Sequence, residues 1–228
     1  MRALLLAGMA IFGGLVAGGV AYATPIAAGG SVTASRVVPN VNAVLATYNN
    51  VAFTSQAPAG MTSTFNGTYT DSVFRDSNNN LCGVAGQCLT FGIQVNNSAS
   101  SRDGIETVTT GPFSNMFSYN VGYNNANNGV TPLYINDSAT GTFSFNFTGA
   151  GITSNIIMPG QSSAYLLIQS SATSYTTGSV SFQDNQTATV AGFIPAVATT
   201  TPVPEPASLA LLGIGAAGIM AARRRRAA

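Results

Sequence analysis

The chain is predicted to be all-β, an antiparallel β-sandwich of about seven to ten strands. Three observations predict it. Apolar residues alternate with small or polar ones in several short runs, turn-forming clusters separate those runs, and no helical period lies between them. In "CLTFGIQV", Leu89, Phe91, Ile93 and Val95 take every second position, which sets one face of a strand in a core and the other in water. Phe143, Phe145 and Phe147 repeat the pattern in "TFSFNF", as do Val180 and Phe182 in "SVSF". Thr, Tyr, Phe and Val dominate these runs, as a pleated, half-buried surface favours. "TSTFNGTYTDSVF" and "SAYLLIQSSA" are two longer strand candidates. The separators include "RDSNNN", "NNSASSRDG", "NNANNG", "TGAG" and "MPGQ". Asn and Gly tolerate positive φ there, and Asn side chains bond back to their own backbone.

Taken in order, residues 1–23 read as a signal peptide. Arg2 precedes an apolar stretch, and "AYA" places small residues where a signal peptidase needs them. Cleavage is expected after Ala23, with Thr24 as the mature start; the alternative is an uncleaved anchor. Residues 24–194 form the β-sandwich body. Residues 195–206, "PAVATTTPVPEP", are rich in Pro and Thr and read as an extended, solvated linker. Residues 207–228 follow as an apolar helix and a basic end. The helix, residues 207–222, would span about 24 Å, a short transmembrane segment. Arg223, Arg224, Arg225 and Arg226 then keep that end cytoplasmic and leave the body outside.

Composition limits the chemistry. Charged residues make up 7% of the chain, against about 25% in an ordinary soluble domain. Ser, Thr, Asn and Gly stand in their place, which suits an extracellular surface. Between Thr24 and Thr201 the bases are Arg36, Arg75 and Arg102, and the acids are Asp71, Asp76, Asp103, Glu106, Asp137 and Asp184. So mildly acidic a body has few cations for phosphates, and no nucleic-acid partner is expected. The chain has no His, which excludes a Ser-His-Asp triad and a Cys-His pair. It has no Lys either, which excludes a Schiff base. No catalytic residue, metal or cofactor is expected. Six carboxylates keep a secreted glycan hydrolase as a third reading, with Asp103 and Glu106 in "SRDGIET" as the acids nearest in sequence. "DSNNN", residues 76–80, resembles the start of a calcium loop. The pattern fails at its two defining positions, where Leu81 and Gln87 stand, leaving a polar turn or a calcium site of another kind.

Cys82 and Cys88 are the two cysteines. In an exported chain such a pair reads as a disulfide, the alternative being two thiols. Tyr119, Tyr123 and Tyr134 lie in the Asn-rich middle. They read as half-buried strand residues or as a stacking face for sugars.

The tail carries a resemblance. Val203, Pro204, Glu205 and Pro206, then the apolar segment, then the four arginines, resemble the PEP-CTERM sorting signal of Gram-negative bacteria. The resemblance covers about 26 residues. It implies that the first four are a recognition motif read by exosortase, a membrane-embedded protease or transpeptidase. The body looks, more diffusely, like a group of such exported proteins. The implied route uses the general secretion machinery, signal peptidase and a transient inner-membrane intermediate, with the body periplasmic. Its end is the cell surface or the extracellular matrix, in the setting of exopolysaccharide and biofilm. The leading reading is thus a non-catalytic surface or matrix protein. The second is a carbohydrate-binding module for extracellular polysaccharide, and the ordinary single-pass anchor is the alternative for the tail.

Overall fold

The structure, a computed structural model, describes residues 23–149 and 155–197. The signal-peptide segment before Ala23, most of the linker with its Val203–Pro206 motif, and the apolar and basic tail lie outside the described residues. The described residues contain no helix and twelve strands: β1 (Thr24–Ile26), β2 (Ser31–Thr33), β3 (Val41–Thr54), β4 (Asn66–Asp76), β5 (Leu89–Asn97), β6 (Thr107–Gly111), β7 (Tyr119–Asn124), β8 (Tyr134–Asp137), β9 (Phe143–Asn146), β10 (Tyr165–Ser170), β11 (Tyr175–Asp184) and β12 (Gln186–Pro195). The count exceeds the seven to ten expected. β1 and β2 have three residues each, too few to show an alternation. β12 runs through Pro195, which pairs with Tyr175. The first residue assigned to the linker on composition therefore belongs to the sheet.

Two six-stranded sheets result, in the orders β1-β7-β10-β5-β4-β3 and β12-β11-β6-β9-β8-β2. Every strand pair is antiparallel. The predicted alternation holds where it was clearest. Phe143, Phe145 and Phe147 are wholly buried, while Ser144 and Asn146 between them are half-exposed. At one end of the core Phe113 meets Phe91, Tyr119 and Phe143 edge to face, with ring centroids 5.3, 5.7 and 5.2 Å apart. Such pairs each contribute about 0.5–1.5 kcal/mol beyond area burial.

The first sheet departs from simple alternation. Thr90 and Gly92 of β5 should face water, yet both are buried. The outer face of this sheet carries a second apolar cluster of Ala23, Val37, Phe74 and Leu167, with Tyr165 against it. Gly92 leaves room for it, since a Cβ there would lie 2.5 Å from the Tyr165 ring.

The two sheet edges beside each other differ. The edge of β12 that faces away from β11 is capped from the opposite sheet. Tyr69 Oη donates to Ala191 O (2.8 Å), the Phe193 N–H donates to Asp71 Oδ2 (2.8 Å), and the Gln56 N–H donates to Thr187 O (2.8 Å). β3 instead is a 14-residue edge strand with three register shifts against β4. Bulges of this kind are one way an edge is made a poor template for pairing.

Gly141 sits at φ +77° in the turn after β8, and a Cβ there would come 1.7 Å from Phe113 O. Gly141→Ala is expected to destabilise the body by more than about 1 kcal/mol. Thermal melting should show a loss of at least about 2–4 °C; an unchanged melting point would contradict the tight turn.

Candidate functional site

The six acids are dispersed by the fold, and each has its own surroundings. Asp76, at the end of β4, is fully buried. Its Oδ1 accepts the N–H groups of Asn40 (2.8 Å) and Asn78 (2.9 Å), and its Oδ2 accepts Gln169 Nε2 (3.1 Å) and Thr90 Oγ1 (3.3 Å). The "DSNNN" stretch is thus a turn organised around an internal carboxylate. Asn79 continues it, donating to Leu89 O and Ser170 O. Among the described residues no group of three Cys, Asp or Glu side chains is placed to hold a metal ion.

Asp71 faces the core from β4. Burial pushes its carboxyl up to about 7, against the lowering effect of the Phe193 and Ser72 backbone N–H groups. Its Oδ1 is buried without a partner.

Asp103 and Glu106, paired on sequence, are joined by Asp184 from the end of β11. Asp184 is buried, Asp103 exposed and Glu106 between. Asp184 is pushed up to about 6, first by burial, then by the neighbouring Asp103 and Glu106 carboxyl groups. Around them the Glu106 N–H donates to Gln183 O, and Asp103 Oδ1 accepts the Gly104 N–H.

The three tyrosines do not form one face. Tyr119 is buried in β7, its Oη donating to Ser114 O at 2.6 Å. Tyr123, on the same strand, is half-buried against the core. Tyr134 lies on β8 in the other sheet.

Cys82 and Cys88 form a disulfide, with Cα atoms 5.5 Å apart. The bridge closes "GVAGQ" beside the start of β5, where Leu89 is fully buried. Closing so short a loop contributes roughly 2 kcal/mol. The exported body is expected to weigh two hydrogens less than the dithiol and to resist alkylation until reduced. Reduction should loosen residues 82–88 without unfolding the sandwich. Alkylation before reduction would contradict the bridge.

A cleft of about 580 Å³ opens where β1, the segment after it, the loop before β7 and the end of β8 meet. Ile26, Phe117, Ser118, Asn115, Asn120 and Asp137 are among its lining residues. Asp137 is 4% exposed, and its Oδ1 is buried with no hydrogen-bond partner among the described residues. Burial pushes its carboxyl up to about 6. Burial, with the nearby Asp137 charge, also raises Tyr119 well above the usual phenol range. Sequence reasoning found Asp137 only as one acid among six. The wall residues come from separate stretches of chain, and no motif links them.

Ala23 packs with Val37, Phe74 and Leu167. Cleavage after it would remove one methyl group from that cluster and leave β1 whole.

Residues 202–226 match the family model of the PEP-CTERM protein-sorting motif. The match takes in Val203, Pro204, Glu205, Pro206 and the four arginines from Arg223 onward. No curated protein and no solved structure matches the chain.

Proposed function

We propose that this bearer of a PEP-CTERM sorting motif is a non-catalytic surface or matrix protein, whose β-sandwich is the cargo and whose tail is the address. The motif match at residues 202–226 carries the reading, because the motif implies export and handling by exosortase. The signal peptide of residues 1–23 starts the route. The apolar segment and Arg223, Arg224, Arg225 and Arg226 hold the chain in the inner membrane with its body periplasmic. Exosortase then acts at the Val203–Pro206 motif, and the body reaches the cell surface or the matrix among exopolysaccharide.

The body's chemistry supports a role without turnover. General acid–base work near neutral pH usually falls to His, or to Lys and carboxylates with tuned pKa values. Here His and Lys are absent, Asp71 faces the core and Asp76 is occupied by four donors. Purified body is expected to show no turnover on polysaccharide, peptide or ester substrates. The hydrolase reading now rests on Asp137 and on the group of Asp103, Glu106 and Asp184. Glycan cleavage abolished by Asp184→Asn or Glu106→Gln would replace the present reading with it. The sorting half has its own test. In a matched pair of hosts, full-length protein should accumulate in the membrane only where exosortase is missing. Equal maturation in both would refute it.

A further inference from the structure

We propose that Thr90 and Gln169 become joined by an intramolecular ester bond, formed once in the folded body with Asp76 as the base. This goes beyond the sorting route and does not depend on it. A single internal event is also compatible with a body that turns over no external substrate. The two oxygens of Asp76 are used differently. Oδ1 accepts the Asn40 and Asn78 N–H groups and so organises the turn after β4. Oδ2 accepts two side chains from outside that turn, the Thr90 hydroxyl at 3.3 Å and the Gln169 Nε2 amide at 3.1 Å. Thr90 lies on β5 and Gln169 on β10, and the two are direct partners in the antiparallel ladder. Such partners hold their Cβ atoms about 4.5–5.5 Å apart on one face of the sheet. Asp76 and Thr90 are fully buried, and Gln169 nearly so.

A nucleophile, a base and a leaving group thus meet at one oxygen. A hydroxyl is a weak nucleophile until a base within hydrogen-bond reach takes its proton, and Oδ2 stands in that relation to Thr90. Thr90 Oγ1 gives its proton to Oδ2 and bonds to Gln169 Cδ. The Cδ–Nε2 bond then breaks, and Oδ2, already beside Nε2, hands the proton to the departing nitrogen. The products are one ester and one ammonia, and Asp76 ends as it began. The ester links the two Cβ atoms through Oγ1, Cδ and Cγ, a bridge that spans their cross-strand separation when extended. The fold favours the step in two ways. The ladder already holds both groups side by side, which removes most of the entropic cost of their meeting. Burial keeps away water, which would otherwise hydrolyse the ester. The buried Asn79 closes the site from above. Its Nδ2 lies 3.4 Å from Thr90 Oγ1 and donates to Leu89 O of β5 and Ser170 O of β10, holding the turn over both strands.

The experiment weighs the protein as its host exports it, intact and after proteolysis, beside variants exported in the same way. Thr90→Val keeps the volume and removes the hydroxyl. Once the substitution itself is allowed for, the wild type is expected to be lighter than this variant by one ammonia. Its digest should contain a peptide pair joined between Thr90 and Gln169, which alkali separates. Thr90→Ser, which restores a hydroxyl, should lose ammonia again. Asp76→Asn removes the base and should keep the ammonia; if it fails to fold, the two Thr90 variants decide. A carboxylate that only organised the turn would leave every mass at its sequence value. Three results would overturn the proposal: wild type and Thr90→Val differ by the substitution alone, no joined peptide pair is found, or Thr90→Ser keeps its ammonia.

Discussion

Replacing Pro204, Glu205 and Pro206 with alanine is expected to leave the chain full-length and membrane-bound in a host that makes exosortase. The effect should be close to all-or-none, because recognition is lost while insertion is retained. On the proposed route insertion would depend on residues 207–222 and the arginine cluster, which the substitution leaves untouched. The body should fold as before, since β12 ends at Pro195, well ahead of the altered residues. Blotting of membrane and medium fractions reads the outcome. Normal maturation of the triple variant would mean that the tail is an ordinary single-pass anchor.

The second large effect concerns pH. Asp71 is held at about 7 in the folded body against an ordinary 3.8, so the folded state binds a proton that the unfolded chain has already lost. Stability from this group is complete below about pH 4. It declines as pH rises and is spent above about pH 7. A shift of about three units corresponds to roughly 4 kcal/mol. Asp137 and Asp184, each raised to about 6, act in the same direction over a narrower window. The wild-type body should therefore melt lower at pH 8 than at pH 5. Asp71→Asn keeps an oxygen for the Phe193 N–H and removes the charge. It should melt higher than the wild type at pH 8, by roughly 10 °C, and nearly together with it at pH 5. A flat wild-type profile, or an Asn variant less stable at pH 8, would show that Asp71 is not held protonated.

The sandwich was legible in the sequence because its central strands alternate cleanly. Phe143, Phe145 and Phe147 fall on one face of an extended segment, and all three are buried. The disulfide was legible from two cysteines six positions apart. The second apolar cluster was not, because Ala23 and Val37 are far in sequence from Phe74 and Leu167, and nothing marks the outer face of β5 as covered. For the tyrosines the structure agrees with the strand-residue reading, not the stacking face. A common face was the other reading, and the connection between β7 and β8 excludes it by sending Tyr119 and Tyr134 to different sheets. Asp103, Glu106 and Asp184 meet only because the β11–β12 hairpin returns to the loop before β6, a long-range closure that composition does not record. The cleft at Asp137 was invisible for the same cause. The sorting motif was the reverse case, readable as a linear string because its reader meets it as one.

The capped edge of β12 has a mechanical consequence. β12 is the last strand among the described residues, so a tether through the tail would deliver its load at Pro195. That residue forms the first of ten rungs with β11. Antiparallel hydrogen bonds run perpendicular to the strands. A pull along the strand axis therefore strains all ten rungs together, along with the cross-sheet bonds from Tyr69, Asp71 and Gln56. A pull across the axis opens the ladder one rung at a time from the Tyr175–Pro195 pair. Loaded through its tail, the sandwich would be firm under drag parallel to β12 and easily peeled under force at right angles to it.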